Sequence, residues 1–302
     1  MRVFVAGGSG TIGLPLVRAL VAAGHHVTAL TRSPGKQGEL RGLGASVAVA
    51  DALDRDALMA AVAAARPTHV IHQLTALPKD GVRRAKDLEA TNRLRIEGTK
   101  NLLDAAIAAG AGRFVVGSFA ILSDRGADMT GPVADAFDAT RSMERQVLEA
   151  TTRGAIEGVV LRYGLFYGSE APSTMAMIEQ VRKRRAPVVR DDTSLLPVIQ
   201  LDDAVSATVL ALERAPGASV YDIVDDRAVS MTEIVETIAE YTGSSAPFRV
   251  PAWLPKLVAP YIARITSVRL RLSNAQAKAE LAWRLRYPTM RDGLAAILQR
   301  AA

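Results

Sequence analysis

Met1-Arg2-Val3-Phe4-Val5-Ala6-Gly7-Gly8-Ser9-Gly10-Thr11-Ile12-Gly13 opens the chain, and this stretch decides the fold. The β-rich run Arg2–Gly7 predicts a strand, and a helical pattern over Ile12–Ala23 follows the G-x-x-G-x-x-G spacing. In such a loop one glycine makes the tight turn, another lets the backbone approach a diphosphate, and the third lets helix and strand pack closely. Backbone N–H groups at a helix N-terminus attract phosphate. The stretch therefore predicts a strand–loop–helix unit that binds a dinucleotide.

Short β-rich runs alternate with helical patterns, among them Leu88–Ala109 and Arg141–Thr152. The predicted strands are Arg2–Gly7, Val27–Arg32, Ser46–Asp51, Thr68–Leu74, Arg113–Ser118, Gly158–Tyr163 and Ser219–Val224. Near-continuous apolar strands are typical of a parallel sheet with helices on both faces. We predict an α/β fold, a Rossmann-type doubly wound parallel sheet with a small discontinuous C-terminal substrate lobe. The cofactor-binding domain would comprise residues 1–165 plus 199–227, and the lobe residues 166–198 plus 228–302.

The composition excludes several kinds of chemistry. The 302 residues include no cysteine, which excludes disulfides, thiolate nucleophiles and zinc–sulfur sites, and no metal site is predicted. The N-terminus has no signal-peptide pattern and no apolar run is long enough to span a membrane, so we expect a cytoplasmic protein without stable membrane association. The net charge is +6, but the basic residues are mostly scattered and the one dense run, Arg182–Arg185, has no interleaved aromatics. We therefore expect no nucleic-acid binding.

The end of the second predicted strand bears on the choice of cofactor. An NAD-preferring site usually carries an acidic residue there, which accepts a hydrogen bond from the ribose 2′-hydroxyl. This chain has Thr31-Arg32-Ser33 instead. Arg32 can form charge-assisted hydrogen bonds with a 2′-phosphate, and the two hydroxyl groups can add donors. The stretch favours NADP(H) over NAD(H), although Arg32 could also be an ordinary surface charge.

Several further motifs resemble those of the extended and atypical short-chain dehydrogenase/reductases, the NAD(P)-dependent epimerase/dehydratase family. They are the glycine motif Gly7–Gly13, the D-x-x-D of Asp51–Asp54, the strand segment Val70–Thr75, the G-T-x-N-L-L-x-A-A of Gly98–Ala106, the L-R-x-x-x-x-Y-G of Leu161–Gly168 and Leu201–Ala204. The resemblance implies a nicotinamide-dinucleotide site, which the Thr31-Arg32-Ser33 stretch assigns to NADP(H). From the motifs and the resemblance together, the predicted cofactor-binding residues are Gly7, Ser9, Gly10, Thr11, Ile12, Gly13, Thr31, Arg32, Ser33, Asp51, Ala52, Leu74, Thr75, Ala76, Tyr163 and Leu165.

The catalytic part departs from that family. The resemblance implies that Ser118 hydrogen-bonds a substrate carbonyl or hydroxyl, and that a Tyr-x-x-x-Lys pair supplies the proton, with the lysine also binding the ribose. No tyrosine here has a lysine four residues later. One registration of the segment places Phe137 and Arg141 on the two positions, and a shift by one places Ala136 and Thr140 there.

Three explanations of this departure stay open. Another side chain could donate the proton, and the candidates are Tyr163, Tyr167, His72 and Asp124; of these, His72 lies in an apolar strand typical of a core histidine. Arg141 could take the lysine's place on the ribose, or be a surface charge. Alternatively, an activated substrate such as an iminium or an enone needs little acid catalysis, or NADP(H) is bound without hydride transfer.

The segments that should face the nicotinamide are mostly apolar, which favours a small apolar metabolite over a nucleotide sugar. Their apolar residues are Leu77, Phe119, Ile121, Leu122, Met129, Phe137, Phe166, Met175, Met177 and Trp253. We predict an NADPH-dependent oxidoreductase that acts on a C=O, C=N or activated C=C bond of such a substrate. A redox-neutral epimerase, isomerase or dehydratase, and a non-catalytic NADP(H)-binding sensor or scaffold, are the alternatives. The resemblance also allows a homodimer.

Overall fold

The structure, a computed structural model, describes residues 1–78, 82, 84–123, 134–258, 263 and 268–299. Its strands are β1 (Arg2–Ala6), β2 (His26–Thr31), β3 (Ser46–Val49), β4 (His69–His72), β5 (Arg113–Phe119), β6 (Glu157–Tyr163), β7 (Leu165–Tyr167), β8 (Val188–Val189), β9 (Val198–Gln200), β10 (Ser219–Ile223) and β11 (Arg249–Val250). Seven of them form one sheet in the order β10-β6-β5-β4-β1-β2-β3, and all its pairs are parallel. The predicted Rossmann-type sheet is confirmed.

The helices are α1 (Gly13–Ala22), α2 (Gln37–Gly42), α3 (Arg55–Ala65), α4 (Glu89–Arg93), α5 (Thr99–Ala108), α6 (Ala134–Thr152), α7 (Pro172–Arg182), α8 (Leu201–Arg214), α9 (Met231–Thr242), α10 (Trp253–Val258), α11 (Ala275–Leu281) and α12 (Met290–Gln299). A π-helical segment, Leu94–Gly98, joins α4 to α5, so the helix predicted over Leu88–Ala109 is not regular throughout. Helix α6 begins at Ala134 rather than at the predicted Arg141. The earlier start makes the whole segment that should carry the Tyr-x-x-x-Lys pair helical.

Strand order creates the crevice for a ligand. The chain runs outward from β1 through β2 to β3 and then returns to place β4 on the other side of β1. At such a reversal the connections leave toward opposite faces, which opens a crevice outside the carboxyl ends of the strands. Gly7 and Gln73, which follow β1 and β4, stand at that point.

Helices bury both faces of the sheet. On one face α1 and α8 enclose an apolar cluster that includes Leu16, Val115 and Leu212, and on the other α3, α5 and α6 enclose one that includes Phe4 and Phe114. All five side chains are fully buried, and each such burial contributes about 1.5–3 kcal/mol. Because side chains alternate along a strand, neighbouring residues at the ends of β5 and β6 face different helices.

The remaining elements pack beyond the carboxyl ends of the strands. Helices α7, α9 and α12 share a third apolar cluster with β7 and β9, which includes Tyr167, Ile238 and Leu294. Helix α8 and strand β10 return to the main sheet. Helix α10 leaves Trp253 and Leu257 exposed. Among the described residues no helix has both the length and the apolar character that a membrane span requires. The division into domain and lobe stays a prediction.

Candidate active site

The glycine loop after β1 folds tightly against β4. Gly7 has a φ of +89°, and a Cβ atom there would lie 2.7 Å from the carbonyl oxygen of Gln73. A Cβ at Gly13 would lie 2.0 Å from the carbonyl oxygen of Gly7. Both positions therefore exclude any side chain, the first also because its φ disfavours L residues. The sequence predicts that the glycines of this loop allow a tight turn and close packing. The positive φ of Gly7 and the short distances at Gly7 and Gly13 agree with both roles.

The same loop leaves backbone donors for an anion. The N–H group of Gly10 donates to the carbonyl of Gly7, but those of Ser9, Thr11, Ile12 and Gly13 find no acceptor among the described residues. These groups lie at the N-terminus of α1, where the helix dipole favours negative charge. The loop thus fits the diphosphate of a dinucleotide, and Gly7 to Gly13 are the residues that would hold it.

The end of β2 borders this loop. Thr31 is buried, its hydroxyl lies 3.1 Å from that of Ser9, and its oxygen accepts from the N–H of Ser33 at 3.2 Å. Thr31 therefore joins the glycine loop to the residues after β2. Arg32 is exposed and forms no ion pair with any residue that the structure describes. Its guanidinium is thus available to a ligand at the end of the strand.

The residues after β3 form a separate turn. The Asp51 carboxylate accepts from the N–H of Leu53 at 2.9 Å, while its other oxygen has no partner among the described residues. Ala52 is buried, and its carbonyl accepts from the Asn101 side chain at 3.0 Å. Asp51 therefore keeps one oxygen for a ligand, whereas Ala52 offers chiefly its backbone and methyl group.

A buried histidine shapes the end of β4. The N–H of Leu74 donates to His72 Nδ1 at 3.1 Å, so the neutral ring carries its proton on Nε2 and donates it to the Thr99 hydroxyl at 2.9 Å. Burial, and next the charge of Arg95, lower the pKa of His72 to about 4. The ring is neutral at pH 7 and positions the backbone at Leu74. Two residues on, the N–H of Ala76 donates to the buried Thr91 hydroxyl at 2.9 Å, while the intervening Thr75 is exposed.

Ser118, at the end of β5, belongs to a half-buried polar network whose carboxylate, Glu144, is buried. Its hydroxyl donates to Glu144 Oε1 at 2.5 Å. Arg162 of β6 donates to both oxygens of the same carboxylate, at 2.9 and 2.6 Å. The hydrogen bonds that Arg162 donates to Glu144 raise the pKa of Arg162, so its guanidinium stays charged. With its proton directed at Glu144, Ser118 can accept a hydrogen bond from a ligand but must leave Glu144 to donate one.

The network continues across the sheet to β10. Arg162 donates to the Ser123 hydroxyl at 3.3 Å, and Ser123 donates to Asp222. Burial raises the pKa of Asp222. Because Ser118, Arg162 and Asp222 lie in one row on neighbouring strands, the polar groups form a continuous line under the start of α6. Asp124, one residue beyond Ser123, lies outside the described residues.

One stripe of helix α6 faces this network. Ala136, Thr140 and Glu144 follow the helical i, i+4 spacing, all three are buried, and the Thr140 hydroxyl donates to the Ala136 carbonyl at 2.7 Å. Arg141 points away, since its side chain is 46% exposed and pairs with Asp138 at 3.4 Å. The structure therefore does not bring Arg141 to Ser118, and the predicted role of Arg141 beside the ribose is wrong for this arrangement.

An apolar cluster lies beside the network. Ile121, Leu122 and Phe137 are buried together with Leu270 from the C-terminal part of the chain, and Phe119 packs against them. Four of them, Phe119, Ile121, Leu122 and Phe137, are among the predicted lining residues, and their contact with a substrate stays a prediction. Others do not take part, since Leu77, Met175 and Trp253 are exposed, Phe166 packs on Tyr163 and Met177 packs in the third cluster. Met129 lies outside the described residues.

Comparison with known proteins agrees with this architecture. The model of the NAD dependent epimerase/dehydratase family matches residues 3–224. The chain belongs to this family. It is similar to the 3-diazoavenalumate denitrifying reductase of a Streptomyces species, with 34% identity over 97% of this chain and 99% of that protein. It is also similar to the 4-hydroxy-2-methyl-3-oxo-4-farnesyl-3,4-dihydroquinoline-1-oxide ketoreductase of Stigmatella aurantiaca, with 28% identity over 82% of this chain and 75% of that protein.

A solved family structure shares the fold. The UDP-glucose 4-epimerase of Thermus thermophilus, in complex with NAD, superposes with a TM-score of 0.79 over 99% of this chain and 98% of that one, at 23% identity. Together with the family match and the reductase relatives, this makes the chain an NAD(P)-dependent enzyme of the oxidoreductase or epimerase type.

The buried stripe of helix α6 can be compared with the catalytic positions of the family. The resemblance implies a tyrosine and a lysine four residues apart on this helix beside Ser118, and the buried stripe assigns those positions to Ala136 and Thr140. The alternative registration fails because Arg141 lies on the outer face and Phe137 enters the apolar cluster. A methyl group and a short hydroxyl that is bonded to its own helix thus stand where the family has a phenol and an amine.

The two tyrosines predicted as substitutes are structural. Tyr163 lies on the α8 side of the sheet, opposite Ser118, and its hydroxyl contacts Gln73 at 3.0 Å and Thr208 at 2.7 Å. Burial raises its pKa to about 12. Because its hydroxyl is enclosed by these partners, Tyr163 is not placed to donate a proton to a substrate beside Ser118, while its predicted contact with the cofactor stays a prediction. Leu165 is half-buried, pairs with β9 and packs in the third cluster.

Tyr167 is enclosed even more completely. Its hydroxyl donates to Asp225 Oδ2 at 2.8 Å, and its ring would touch any Cβ placed at Gly293 of α12. Burial, and next the charge of Asp225, raise the pKa of Tyr167, and burial raises that of Asp225 to about 8. Tyr167 therefore ties β7 to α12, and the prediction that it donates a proton to substrate is wrong.

Three residues of the site escaped the sequence interpretation: Glu144, Arg162 and Arg95. Arg162 stands in the L-R-x-x-x-x-Y-G segment, and Glu144 stands four residues after Thr140. A buried carboxylate at that spacing from the Tyr-x-x-x-Lys positions could have chosen between the two registrations. Arg95 carries no local signal, since its contact with Ala136 joins residues 41 positions apart.

Proposed function

We propose that the protein is an NADPH-dependent reductase that transfers hydride to a strongly electrophilic carbon of a small, largely apolar substrate, without a side-chain phenol as proton donor. The observation that carries the proposal is the presence of Ala136 and Thr140 on the buried stripe beside Ser118. Reducing a ketone places negative charge on oxygen, and a general acid assists it by typically 10²–10⁴-fold. A substrate that needs no proton in the hydride step loses nothing when the phenol is absent.

The similar Streptomyces protein suggests one such substrate class. Its name describes a reductase that removes nitrogen from a diazo compound. When a diazonium group is reduced in this way, the carbon gains a hydride as the C–N bond breaks, and the bonding electrons leave with dinitrogen. The nitrogen is lost as a neutral gas, so no proton is consumed. We therefore infer that arenediazonium and iminium ions suit this site better than simple ketones, and that enones, whose enolate can take its proton from water, stand between them.

The residues present fit the cofactor that this chemistry needs. NADPH supplies the hydride when it is bound. The N–H groups of the glycine loop would hold its diphosphate, and Arg32 would pair with its 2′-phosphate. The apolar cluster of Ile121, Leu122, Phe137 and Leu270 would exclude water from the substrate side, which protects a diazonium ion against hydrolysis.

Isotope transfer tests the proposal. The purified protein is given NADPH carrying deuterium at C4 and either a carboxyl-substituted benzenediazonium ion or the corresponding aryl methyl ketone. We expect one deuterium at the carbon that lost nitrogen, with one NADPH oxidised per dinitrogen, and turnover of the ketone at least 100-fold slower. Spontaneous hydrolysis gives a phenol without deuterium, and denatured protein measures that background.

Other results would contradict the proposal in distinct ways. Equal reduction of the ketone would reveal a proton donor outside the buried stripe. Epimerised or dehydrated substrate without net oxidation of NADPH would establish the redox-neutral alternative. Tight NADPH binding without deuterium transfer to diazonium, iminium, enone or ketone substrates would favour a sensor or scaffold.

A further inference from the structure

Asp225 lies just after strand β10, and its carboxyl group is buried. The residue is 4% exposed. Its Oδ2 accepts from the Tyr167 hydroxyl at 2.8 Å, and its Oδ1 accepts from the N–H of Gln200 at 3.3 Å. Across the described ranges no lysine or arginine forms an ion pair with it. An ionised carboxylate is costly in such a place, because burial removes its hydration and only two neutral donors replace it.

The charged groups near Asp225 and Tyr167 oppose ionisation of this pair. The acids are Asp203 on α8, Asp226 next to Asp225, and Asp292 on α12, whose charge acts on Tyr167. Lys278 of α11 pairs with Asp226, and the Arg286 side chain is exposed. Burial raises the pKa of Asp225 to about 8, and the charges of Asp203 and Asp226 act in the same direction. The carboxyl group therefore changes its charge at mildly alkaline pH.

The Tyr167 hydroxyl has one proton and two acceptors within reach. It lies 2.8 Å from Asp225 Oδ2 and 3.3 Å from the carbonyl oxygen of Thr289, the residue before helix α12. When Asp225 is ionised, the phenol donates to the carboxylate, because a charged acceptor forms the stronger hydrogen bond. When Asp225 is protonated, its carboxyl group donates to the phenol oxygen, and the phenol proton is then available to the Thr289 carbonyl.

The Thr289 carbonyl lies where helix α12 meets strand β7. The same oxygen accepts from the N–H of Gly293 at 3.1 Å, within the first turn of the helix. A Cβ atom at Gly293 would lie 2.6 Å from the Tyr167 hydroxyl oxygen, so ring and helix are in contact. Further along α12, Leu294 and Ile297 pack in the third apolar cluster. Protonation of one carboxyl group therefore changes a hydrogen bond at the start of a helix that packs on α7 and α9.

We propose that Asp225 and Tyr167 form a pH-dependent switch that holds helix α12 on strand β7 when Asp225 is protonated and releases it when Asp225 is ionised. In the protonated state Tyr167 bonds both Asp225 and Thr289. In the ionised state Thr289 loses this donor, and a charge without a cation is left in the core. Alkaline pH thus loosens α12 and the packing of the predicted lobe around it. The switch does not depend on hydride transfer, so its test is separate from that of the proposed function.

The sign of the pH dependence follows from proton binding. The Asp225 carboxyl group titrates near pH 8 in the folded protein and near its ordinary pKa of 3.8 in the unfolded chain. Between these values the folded protein binds one proton more than the unfolded chain. The unfolding equilibrium constant therefore rises with pH, by about tenfold per pH unit for one proton, and levels off above about pH 8.

Urea denaturation at pH 6 and pH 7 measures this rise. Asp225→Asn cannot ionise, and its amide N–H group can replace the carboxyl proton toward Tyr167. Over this interval the unfolding constant of the wild-type protein should rise about tenfold more than that of Asp225→Asn. Asp226→Asn is the matched control, because this neighbouring carboxylate is exposed and paired with Lys278, and it should keep the wild-type rise. An equal pH dependence in the wild type and Asp225→Asn would overturn the proposal.

Amide hydrogen exchange tests whether helix α12 is the element that the switch holds. Exchange rates divided by the intrinsic rates give an opening constant for the helix. In the wild type this constant should rise by about tenfold or more from pH 6 to pH 9, and at pH 9 it should exceed the global unfolding constant by about tenfold or more. In Asp225→Asn it should stay within about twofold. Opening of α12 only together with global unfolding would overturn the proposal.

Tyr167→Phe covers the case in which Asp225→Asn does not fold. It keeps the buried carboxyl group but removes the hydroxyl that links it to Thr289. The opening constant of α12 at pH 6 should then exceed the wild-type value by about tenfold or more. Tyr163→Phe removes another buried hydroxyl, one that contacts Gln73 and Thr208, and should leave the opening of α12 unchanged. A folded Tyr167→Phe whose α12 opens as rarely as in the wild type at pH 6 would overturn the proposal.

Discussion

The glycine loop and the start of helix α6 face the same crevice. The loop has the backbone features typical of the family, whereas the helix lacks the family's tyrosine and lysine. In the loop, Gly7 and Gly13 meet backbone atoms within 3 Å of where a Cβ would lie, and the free N–H groups belong to the main chain. In α6, Ala136 and Thr140 stand on the stripe where the family carries its reactive side chains. A backbone site depends on conformation and resists substitution, whereas side-chain chemistry can be exchanged while the helix stays in place.

The two regions also differ in how they are stabilised. Phosphate binding at the loop needs only glycines and a helix N-terminus. The α6 region instead contains a largely buried ion pair, Glu144 with Arg162, which Ser118 joins. A buried pair gives little net stability, but removing one partner leaves an uncompensated charge. We therefore expect substitutions in the loop to change cofactor binding. Substitutions in the ion pair, which joins helix α6 to strand β6, should change the free energy of unfolding.

The largest expected effect is in the loop. In Gly13→Ala the new Cβ would lie 2.0 Å from the Gly7 carbonyl oxygen, so the loop must open. NADPH affinity, measured by nicotinamide fluorescence, should fall at least 100-fold. Gly38→Ala on α2 is the matched control, because a Cβ there meets nothing within 4 Å. Retained affinity in Gly13→Ala would show that the loop does not bind the diphosphate in this conformation.

The next effect concerns the ion pair. Glu144→Gln leaves Arg162 with most of its surface buried and no carboxylate partner, and should lower the free energy of unfolding by about 3 kcal/mol in urea denaturation. Glu149→Gln on the same helix removes an exposed contact with Arg145 at 3.9 Å and should cost less than about 0.5 kcal/mol. Equal losses of stability in the two variants would mean that the ion pair does not stabilise the packing of helix α6 on strand β6.

A smaller effect separates the two cofactors. Arg32→Ala should reduce the preference for NADPH over NADH about tenfold, because a charged contact with the 2′-phosphate is lost. The ratio of the two dissociation constants measures it. Arg41→Ala removes another exposed arginine, one that donates to Gln37 at 2.9 Å, and should leave the ratio unchanged. A preference that survives in Arg32→Ala would assign it to other residues.

The smallest effect tests the buried phenol. Tyr163→Phe removes hydrogen bonds to Gln73 and Thr208 and should cost about 1 kcal/mol of stability. With its pKa raised to about 12, Tyr163 stays protonated in the folded protein from pH 6 to 9, so its loss should leave the pH profile of kcat unaltered. A 100-fold fall in kcat, or a changed profile, would restore Tyr163 as a proton donor and weaken the contrast between the two regions.

The fold could be predicted because its determinants are local. Alternating apolar runs and helical patterns specified the strands of the parallel sheet, and the spacing of Gly7, Gly10 and Gly13 specified the loop. In the candidate site, the prediction agrees with the structure at the glycine loop, whose shape is set by the backbone conformation. Tyr163 and Tyr167 were predicted as proton donors because their segment is right, but the alternation along β6 and the packing of α12 bury both hydroxyl groups.

The sequence by itself determined the family, the phosphate loop and the absence of a Tyr-x-x-x-Lys pair, since each is a matter of residue type at short spacing. Only the tertiary structure decided that Ala136 and Thr140, rather than Phe137 and Arg141, share a buried stripe with Glu144, the partner of Ser118, because a shift by one residue turns a helical side chain by about 100°. It also decided the contacts of Glu144 with Ser118 and of Arg95 with Ala136, which join residues 26 and 41 positions apart. Such contacts depend on how strands and helices pack, and no local pattern encodes them.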